Sequence, residues 1–578
     1  MEQTVANLFE IPHEISVGQV VKVDSYSVTV NIPEEESLKA LNVNGFVLLH
    51  TSNPNVRLIG RIDRVIRIDD PLMQDTDDEL NIRVNNSAII NALGTLVGPG
   101  MERQSTHFTR AVEILPEIGA DCFYLSGEYL SNFTSLVSEE NTKSDNPLTL
   151  GSYAISGNSK AILDGDAFFQ RHAMIVGSTG SGKSFTVAKI VEQAASLKNT
   201  NMVIFDLHGE YAPLAQHDKI KKFRVAGPGD LNNPDSDVIF LPYWLLGYED
   251  MLALVLDRTD ENAPNQAMIF SRTVLEAKKT LLEERDLIKE FDSFTIDSPI
   301  PYKMSYVVDR IEELNNERVP GSRGTVNGPF KGKFDRFLPR ISAKLTDKRY
   351  GFLFNLDEEK LKAEYLSDLV KELMKPSASD VSGVKIIDFS EVPSDILPIV
   401  ISIVAKIVFQ VQQWTPSEKR YPISLLCDEA HLYLPAKQLA DASETRALTH
   451  FERIAKEGRK YGVSLTIISQ RPSELNTTIM SQCNNVIALR LSNQSDKNAV
   501  SNLLPENLGG IREVLPTLGV GEGIVVGDAC LLPFRIKIDQ PTHKPKSNSL
   551  NFWTTWKDAQ IETDLQQSVK NLQKQTLE

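Results

Sequence analysis

The chain has 578 residues, of which 61 are Lys or Arg and 77 are Asp or Glu, so its formal net charge is −16. Charge therefore gives no support for a surface that binds nucleic acid as a whole, although basic residues confined to a channel stay compatible with it. The four cysteines form no CxxC pair and no cluster with histidine, which argues against a disulfide framework or a structural zinc site and favours a reducing cytosol. No apolar run approaches the roughly 20 residues that cross a bilayer, and the N-terminus lacks the basic region of a signal peptide, so we expect a cytoplasmic protein without a membrane segment.

The first 150 residues have the pattern of a β-rich domain. Within residues 16–68, short stretches of alternating apolar and polar residues are separated by turn residues, as at 28–32 and 59–66. Strands of this length and spacing are typical of a small barrel or a sandwich. Residues 136–150 are polar and show no period, which favours a surface loop or linker. We therefore place a domain boundary near residue 150.

A glycine-rich motif follows the next predicted strand. The apolar run 173–176 leads into GSTGSGKS, and residues 185–191 then have a helical pattern. A strand, a GxxxxGK[ST] loop and a helix form a phosphate site, because main-chain N–H groups and the helix N-terminus face the anion. We predict that Lys183 contacts the β- and γ-phosphates and that Ser184 binds Mg²⁺. The predicted nucleotide-binding residues are Gly177, Ser178, Thr179, Gly180, Ser181, Gly182, Lys183, Ser184 and Phe185.

The next predicted strand also ends in polar residues. It comprises residues 202–205 and ends at Asp206, and His208 and Glu210 follow closely. Polar groups at the carboxyl ends of strands lie where open α/β sheets bind ligands. One histidine and one glutamate are a weak set for a metal site. We therefore favour a role for this loop in coupling the nucleotide state to a neighbouring strand or to DNA.

A predicted strand at 423–427 runs directly into Asp428 and Glu429, as expected of a Walker B site. We predict that Asp428 binds Mg²⁺ through water and that Glu429 polarises the attacking water as general base. The letters DEAH also match a helicase class that needs two RecA-like domains, but residues 492–578 are too few for a second one. Gln470 closes the following strand, where its amide either senses the γ-phosphate and positions water or belongs to a polar turn.

These segments together resemble the hexameric HerA-type ATPases of the HerA–FtsK superfamily. The resemblance rests on GSTGSGKS, DLHGEYA, LLCDEAHLYLP and, most specifically, RIAKEGRKYGVSLTIISQRPSEL, which joins a basic helix to a strand and a glutamine. The N-terminal β-region is similar to the HAS-barrel of that family. One departure is Leu207, where family members often have proline, and it concerns only the local loop shape.

The resemblance implies an α/β fold with a RecA-like P-loop NTPase core over 151–540, an N-terminal β-barrel and linker over 1–150, a helical and basic insertion over about 258–350, and a tail over 541–578. It also implies a homo-hexamer that uses ATP and Mg²⁺ to move double-stranded DNA through a central pore. A NurA-like nuclease, or a sirtuin-like or other effector of anti-phage defence, would dock on the barrel face. In such rings a basic residue of the next subunit completes each site. The candidates for this trans role are Arg171, Lys437, Arg453 and Arg459.

The insertion and the tail each have two interpretations. Residues 241–291 have a largely helical pattern, and residues 318–349 contain nine Lys or Arg against two Asp. This basic segment either faces DNA phosphates, with salt-dependent contacts, or is a flexible surface insertion that balances acidic neighbours. Trp553 and Trp556 of the tail either latch onto an adjacent subunit or belong to a disordered end. The candidate phosphate contacts are Lys331, Lys333, Arg336 and Arg340.

The function implied by the resemblance also has two forms. In the first, the ring is a DNA translocase or helicase that works with an effector. In the second, the ring is a scaffold ATPase that assembles and activates an effector enzyme with little DNA pumping. A motor for protein or pilus export is disfavoured because we expect no membrane segment. The first two forms share every catalytic residue, so the sequence does not separate them.

Overall fold

The computed structural model of the protein describes residues 7–69, 84–100, 105–142, 147–156, 159–232, 234–322, 324–378, 381–504, 513–546, 552–557 and 565–574. The chain divides into two compact units, each assembled from several stretches of sequence. Unit 1 comprises residues 1–197, 466–473 and 480–544. Unit 2 comprises residues 198–465, 474–479 and 545–578.

The regular elements alternate between strands and helices along most of the chain. The strands are β1 (Gly18–Val23), β2 (Ser27–Asn31), β3 (Phe46–His50), β4 (Val56–Asp69), β5 (Val84–Val97), β6 (His107–Thr109), β7 (Asp121–Tyr124), β8 (Leu148–Tyr153), β9 (Lys160–Leu163), β10 (Ala173–Val176), β11 (Met202–Asp206), β12 (Ile220–Val225), β13 (Val238–Ile239), β14 (Arg318–Gly321), β15 (Gly324–Asn327), β16 (Val384–Asp388), β17 (Ile423–Cys427), β18 (Val463–Ser469), β19 (Asn485–Ala488), β20 (Glu522–Gly527) and β21 (Phe534–Ile538). The α-helices are α1 (Glu35–Ala40), α2 (Gly127–Asn141), α3 (Gly165–Gln170), α4 (Lys183–Ser196), α5 (Tyr248–Val255), α6 (Ala263–Glu284), α7 (Met304–Asn316), α8 (Phe337–Thr346), α9 (Gly351–Phe354), α10 (Glu364–Met374), α11 (Leu397–Trp414), α12 (Ala442–Tyr461), α13 (Thr477–Ser481), α14 (Gln494–Ser501), α15 (Phe552–Thr555) and α16 (Leu565–Lys574).

Unit 1 begins with a small antiparallel barrel. The strand order β2-β1-β7-β3-β4-β5 closes on itself because β5 also pairs with β2, with Ala88 opposite Val30. Strand β6 extends the sheet from β5. Inward-facing residues such as Val28, Leu49 and Leu58 fill the barrel core, as the alternation of side chains along strands requires. The β-rich pattern of the N-terminal region is therefore a barrel.

Helix α2 corrects one prediction, because residues 136–141 are helical and not part of a loop. The polar side chains on this turn serve as links to β9. Ser138 Oγ donates a hydrogen bond of 2.6 Å to the Lys160 carbonyl, and Asn141 Nδ2 donates one of 3.1 Å to the Ile162 carbonyl. Polar composition alone does not reveal such partners. Residues 143–146 lie outside the described residues.

The second sheet of unit 1 carries the glycine-rich loop. Strand β10 lies between the end of β18 and β19 and runs parallel to both. From β19 the sheet continues through β20, β21, β8 and β9, and each of these pairings is antiparallel. Strand β8 begins at Leu148, so this sheet includes residues that precede 151, where we predicted that the core begins.

Unit 2 contains a parallel sheet with the order β13-β12-β16-β11-β17. Strands β11, β16 and β17 are buried along their whole length, as parallel strands covered on both faces must be. Because all five strands point the same way, their carboxyl ends form one edge. The polar residues that follow β11 and β17 therefore lie side by side.

The predicted helical insertion is present in unit 2, although α6 ends at Glu284 and residues 285–291 are not helical. The basic segment is folded, with the hairpin β14–β15 followed by α8. Gln266 of α6 donates a hydrogen bond of 2.9 Å to the Lys333 carbonyl. Helix α8 buries Phe337 and Ile341. The segment is thus anchored to the helices around it.

Helix α11 is the one helix of the described residues that is long and apolar enough to cross a membrane. Of that stretch, 67% is buried inside the protein, and Phe409 makes an edge-to-face contact with Tyr461 of α12 at 5.5 Å. Burial against a neighbouring helix is typical of a core helix in a large α/β domain.

The predicted fold class is confirmed: an α/β P-loop NTPase core, an N-terminal six-stranded barrel and a helical insertion.

Candidate active site

The glycine-rich loop of unit 1 joins β10 to α4, and three of its glycines are required by geometry. Gly180 and Gly182 have φ values of +73° and +100°, which L side chains rarely adopt. A Cβ on Gly177 would lie 2.4 Å from Ser181 Oγ. The loop delivers the chain to the N-terminus of α4, where the first N–H groups have no intrahelical acceptor. This is the arrangement that binds phosphate.

We expect Gly182→Ala to weaken both folding and ATP binding. An alanine there would keep a left-handed φ, and its Cβ would lie 3.1 Å from the Gly521 nitrogen. The free energy of unfolding should fall by about 1–2 kcal/mol, and the Kd for ATP should rise because the loop must shift. Urea unfolding and ATP titration measure the two effects. Gly165→Ala is the control, since its Cβ would meet only Leu148 Cβ at 3.8 Å; equal losses in both variants would contradict the assignment.

The predicted phosphate-binding side chains begin α4. Lys183 is the first residue of the helix and is buried, and Ser184 and Phe185 follow it in half-buried positions. Thr186 Oγ1 donates a hydrogen bond of 2.9 Å to the Gly182 carbonyl, which ties the first turn to the loop. The helix therefore fixes the position of the lysine relative to the glycines.

Gln470 lies beside the glycine-rich loop. Strands β10 and β18 pair with Val176 opposite Ser469, so the residues that follow the two strands are neighbours. Thr179 Oγ1 donates a hydrogen bond of 2.5 Å to Gln470 Oε1. The structure thus brings the predicted sensor amide onto the predicted nucleotide loop. Its role as a sensor stays a prediction.

Three aspartates meet at the edge of the sheet in unit 2. Asp206 ends β11, Asp388 ends β16 directly opposite it, and Asp428 follows β17 with its main-chain N–H donating to the Phe205 carbonyl. All three are buried. Burial, helped by the charges of Asp388 and Asp428, raises the pKa of Asp206 to about 7 against two main-chain hydrogen bonds that lower it. Asp388 has a counter-ion in Lys222, at 2.9 Å.

The loop after β11 is organised around the carboxylate of Asp206. Asp206 Oδ1 accepts a hydrogen bond of 3.1 Å from the Glu210 N–H, and Oδ2 accepts one of 2.9 Å from the Tyr211 N–H. Gly209 has a φ of +68° and approaches Asp388, where a Cβ would lie 3.2 Å from Oδ2. The loop is therefore held against the acidic strand ends, and the Lys546 N–H donates to its Glu210 carbonyl at 2.7 Å.

Glu429 sits in a strained backbone position. Its φ is +43° and its ψ is +43°, a left-handed conformation that a non-glycine residue adopts at a cost of about 1–3 kcal/mol. Such strain is concentrated at functional sites. The side chain is buried, and Glu429 Oε2 lies 3.4 Å from His431 Nδ1. The turn therefore presents the predicted general base in a fixed place immediately after Asp428.

The four candidates for a trans role lie at or near the surface of their units. Arg171 pairs with Asp528 in unit 1. In unit 2, Lys437 pairs with Glu452 at 2.8 Å, and Arg453 lies 3.7 Å from Glu457 and over the ring of Phe409. Arg459 is exposed in the last turn of α12. No observation selects one of the four, so the trans role stays a prediction.

Sequence reasoning missed two members of the acidic site. Asp388 closes an apolar strand in the same way as Asp206 and Asp428, and this shared pattern was the available signal. Tyr211 has no such signal, because its burial beside the carboxylates depends on the loop around Asp206. Among the described residues no group of three or more His, Cys, Asp or Glu side chains is arranged to hold a metal ion by itself. His208 and Glu210 accordingly form no metal site of that kind.

The fold and these residues define a P-loop ATPase. Residues 148–408 match the family model described as "Helicase HerA, central domain". These residues are therefore similar to the central domain of the HerA helicases, and the resemblance to HerA-type ATPases is confirmed.

Relatives of known name extend the similarity beyond that domain. A probable helicase of Methanocaldococcus jannaschii is 27% identical over 422 residues, which are 72% of each chain. The DNA double-strand break repair helicase HerA of Saccharolobus solfataricus is 26% identical over 517 residues, which are 87% of this chain and 89% of that one. Among solved structures, VirB4 of Thermoanaerobacter pseudethanolicus has a TM-score of 0.46 and 16% identity, covering 70% of this chain and 98% of that chain.

Proposed function

We propose that the protein is an ATP- and Mg²⁺-dependent DNA translocase or helicase that acts as a homo-hexamer in the cytoplasm. It works with a partner docked on the N-terminal barrel, either a nuclease of the NurA kind or another effector, in DNA-end processing or anti-phage defence. The observation that carries the proposal is the complete glycine-rich loop, with Lys183 at the start of α4, inside the stretch that matches the HerA helicase domain.

The residues of the two units supply separate parts of the chemistry. The loop N–H groups and Lys183 bind the phosphates and stabilise the charge that develops during transfer. Glu429 takes the proton of the attacking water as general base. Ser184 and Asp428 are the residues that would hold Mg²⁺, which would supply charge neutralisation at the phosphates. The carboxylate of the buried Asp428 and the hydroxyl of Ser184 are each oxygen ligands of the kind that a hard cation prefers.

The anchored basic segment supports DNA as the polymer. Arg340 lies 3.2 Å from Asp257, and Lys344 lies 3.3 Å from Asp395. Within the described residues, by contrast, Lys331 and Arg318 form no ion pair, although the chain is acidic overall. Unneutralised cations on a folded segment suit a phosphate backbone better than they suit the balancing of acidic neighbours.

The barrel and the tail support protein partners. The described part of the barrel exposes large apolar side chains that a docked protein would cover. They are Ile15, Val21, Tyr26, Val43 and Ile118. In the tail, Trp553 and Trp556 are each 73% exposed, which suits a latch that buries them on a neighbouring subunit. Light scattering should give six times the 64.4 kDa of one chain; a monomer would contradict the ring.

The ATPase rate with and without linear double-stranded DNA, at low and high salt, tests the proposal. Strong stimulation that fades as salt rises is expected of a translocase that holds phosphates. The exposed apolar side chains of the barrel also favour the scaffold ATPase as a second candidate. An unchanged rate with DNA, together with stimulation by an added partner protein, would support the scaffold and contradict the translocase.

Lys183→Ala is expected to abolish ATP binding and ATP turnover together. The variant removes the one ammonium group at the start of α4 and leaves the glycines in place. ATP titration followed by calorimetry, and phosphate release, measure the two losses. Lys189→Ala, further along the same helix, is the control and should behave as wild type. An unchanged Kd for ATP in Lys183→Ala would refute the phosphate site.

A further inference from the structure

Tyr211 is fully enclosed at the acidic edge of unit 2. Its side chain has 0% exposure, and its main-chain N–H is held by Asp206 Oδ2 at 2.9 Å. The electrostatic neighbours of its hydroxyl are the carboxylates of Asp428, Asp206 and Glu429, together with Glu210. The phenol of the Asp-Leu-His-Gly-Glu-Tyr loop is therefore within electrostatic range of both residues of the Walker B pair.

The hydroxyl of Tyr211 has no protein hydrogen-bond partner within the described part of the chain. A buried hydroxyl without a partner is unfavourable, and such groups in native proteins usually have a functional reason or a bound water. The tyrosine hydroxyl can donate one hydrogen bond and accept others. A donor that is near acceptors yet bonded to none of them can reach them through a bridging water.

We propose that the Tyr211 hydroxyl binds the carboxylates of Asp428 and Glu429 through one water molecule, and so holds them in the geometry that hydrolysis needs. Tyr211 is then a positioning residue of ATP hydrolysis, because it acts through the two carboxylates. This inference rests on the proposed function of the site. No change of bonding is involved, since the phenol donates its hydrogen bond and keeps its proton.

Tyr433 offers a matched comparison. It is also fully buried in unit 2, and its hydroxyl also has no hydrogen-bond partner of normal geometry. The largest electrostatic influence on Tyr433, however, comes from the thiol of Cys427, which also acts on it as a hydrogen-bonding group, and the charges of Asp428 and Glu429 are smaller influences. Its ring packs on Phe451 at 6.0 Å. Tyr433 therefore packs against α12 with the Cys427 thiol as the leading partner of its hydroxyl, and the loss of this hydroxyl should not alter the water between Tyr211 and the carboxylates.

The test compares Tyr211→Phe and Tyr433→Phe in the full chain. Each variant removes one oxygen and keeps the ring, so the fold should persist, and circular dichroism with thermal unfolding verifies it. We expect Tyr211→Phe to lower kcat by about tenfold or more, the effect of one hydrogen bond to a charged group. The KM and the Kd for ATP should not change, because the phosphate loop is untouched. The Tm should stay equal to that of wild type or rise.

Four results would overturn the proposal. They are an unchanged kcat in Tyr211→Phe, an equal fall in kcat for both variants, a rise in KM that accounts for the whole effect, and a fall in Tm that follows the loss of activity. The last three would assign Tyr211 to packing. Absence of ATP turnover in the wild type would contradict the proposed function and this inference together, whereas normal wild-type turnover with an unaffected Tyr211→Phe variant would contradict this inference alone.

Discussion

Glu429→Gln is expected to bind ATP normally and to lose ATP turnover by about 10²- to 10⁴-fold, the range of general-base catalysis. Glutamine has nearly the same size as glutamate, so the left-handed turn at φ +43° and the burial of the side chain should persist. What the variant loses is the carboxylate that takes the proton from water. The glycine-rich loop is unchanged, so the affinity for ATP should be retained.

Two measurements decide this prediction. Single-turnover phosphate release gives the rate of hydrolysis, and titration with a fluorescent ATP analogue gives the Kd. Glu418→Gln makes the same chemical change at an exposed position and should leave both quantities unaltered. Normal turnover in Glu429→Gln would remove Glu429 as the base, and a weakened Kd would show that the side chain binds nucleotide instead.

Local sequence patterns predicted the strands that carry the site. The predicted strands at 423–427 and 463–469 agree with β17 and β18 at both ends. A short apolar run bounded by polar residues can be identified as a strand from the local sequence alone. The glycine-rich loop was equally predictable, since its positive φ values demand glycine wherever the chain turns in this way.

Contacts between distant residues were not predictable in the same way. Asp206 and Asp388 meet because β11 and β16 pair in register across 182 residues of sequence, and no local pattern encodes that pairing. The helical turn 136–141 was missed because its polar side chains find partners on β9. Tyr211 was missed for the same reason, since the loop that carries it is fixed by main-chain hydrogen bonds to the carboxylate of Asp206.

A buried charge cluster in unit 2 was also not predictable from local sequence patterns. In this cluster, Asp250 holds three basic side chains together. Asp250 Oδ2 lies 3.1 Å from Lys406 Nζ, and Oδ1 lies 3.1 Å from both Arg446 Nε and His450 Nε2. The cluster joins α5 to α11 and α12. Burial alone would raise the pKa of Asp250, but the hydrogen bond from His450 and the charges of Lys406 and Arg446 lower it well below its usual range.

Asp250→Ala is expected to lower the free energy of unfolding by about 3–5 kcal/mol, because it leaves Lys406 and its neighbours buried without a counter-charge. Thermal and urea unfolding measure the loss. Asp368→Ala is the control, since that residue pairs with Lys371 on the surface, where both side chains are 70% exposed, and the loss there should be about 0–1 kcal/mol. Equal losses of unfolding free energy in the two variants would contradict a stabilising role of the cluster.

The pH dependence and a double variant separate charge from packing. A carboxylate with a lowered pKa stabilises the fold above its unfolded pKa of about 3.9, and this contribution is lost as the pH falls through the lower pKa of the folded state. The difference between wild type and Asp250→Ala should therefore be largest near neutral pH and shrink in acid. Lys406→Met should recover part of the loss in the Asp250→Ala background, because it removes the uncompensated charge. Strictly additive losses would assign the effect of Asp250 to helix capping at Gly247, whose N–H donates to Asp250 Oδ2 at 3.0 Å.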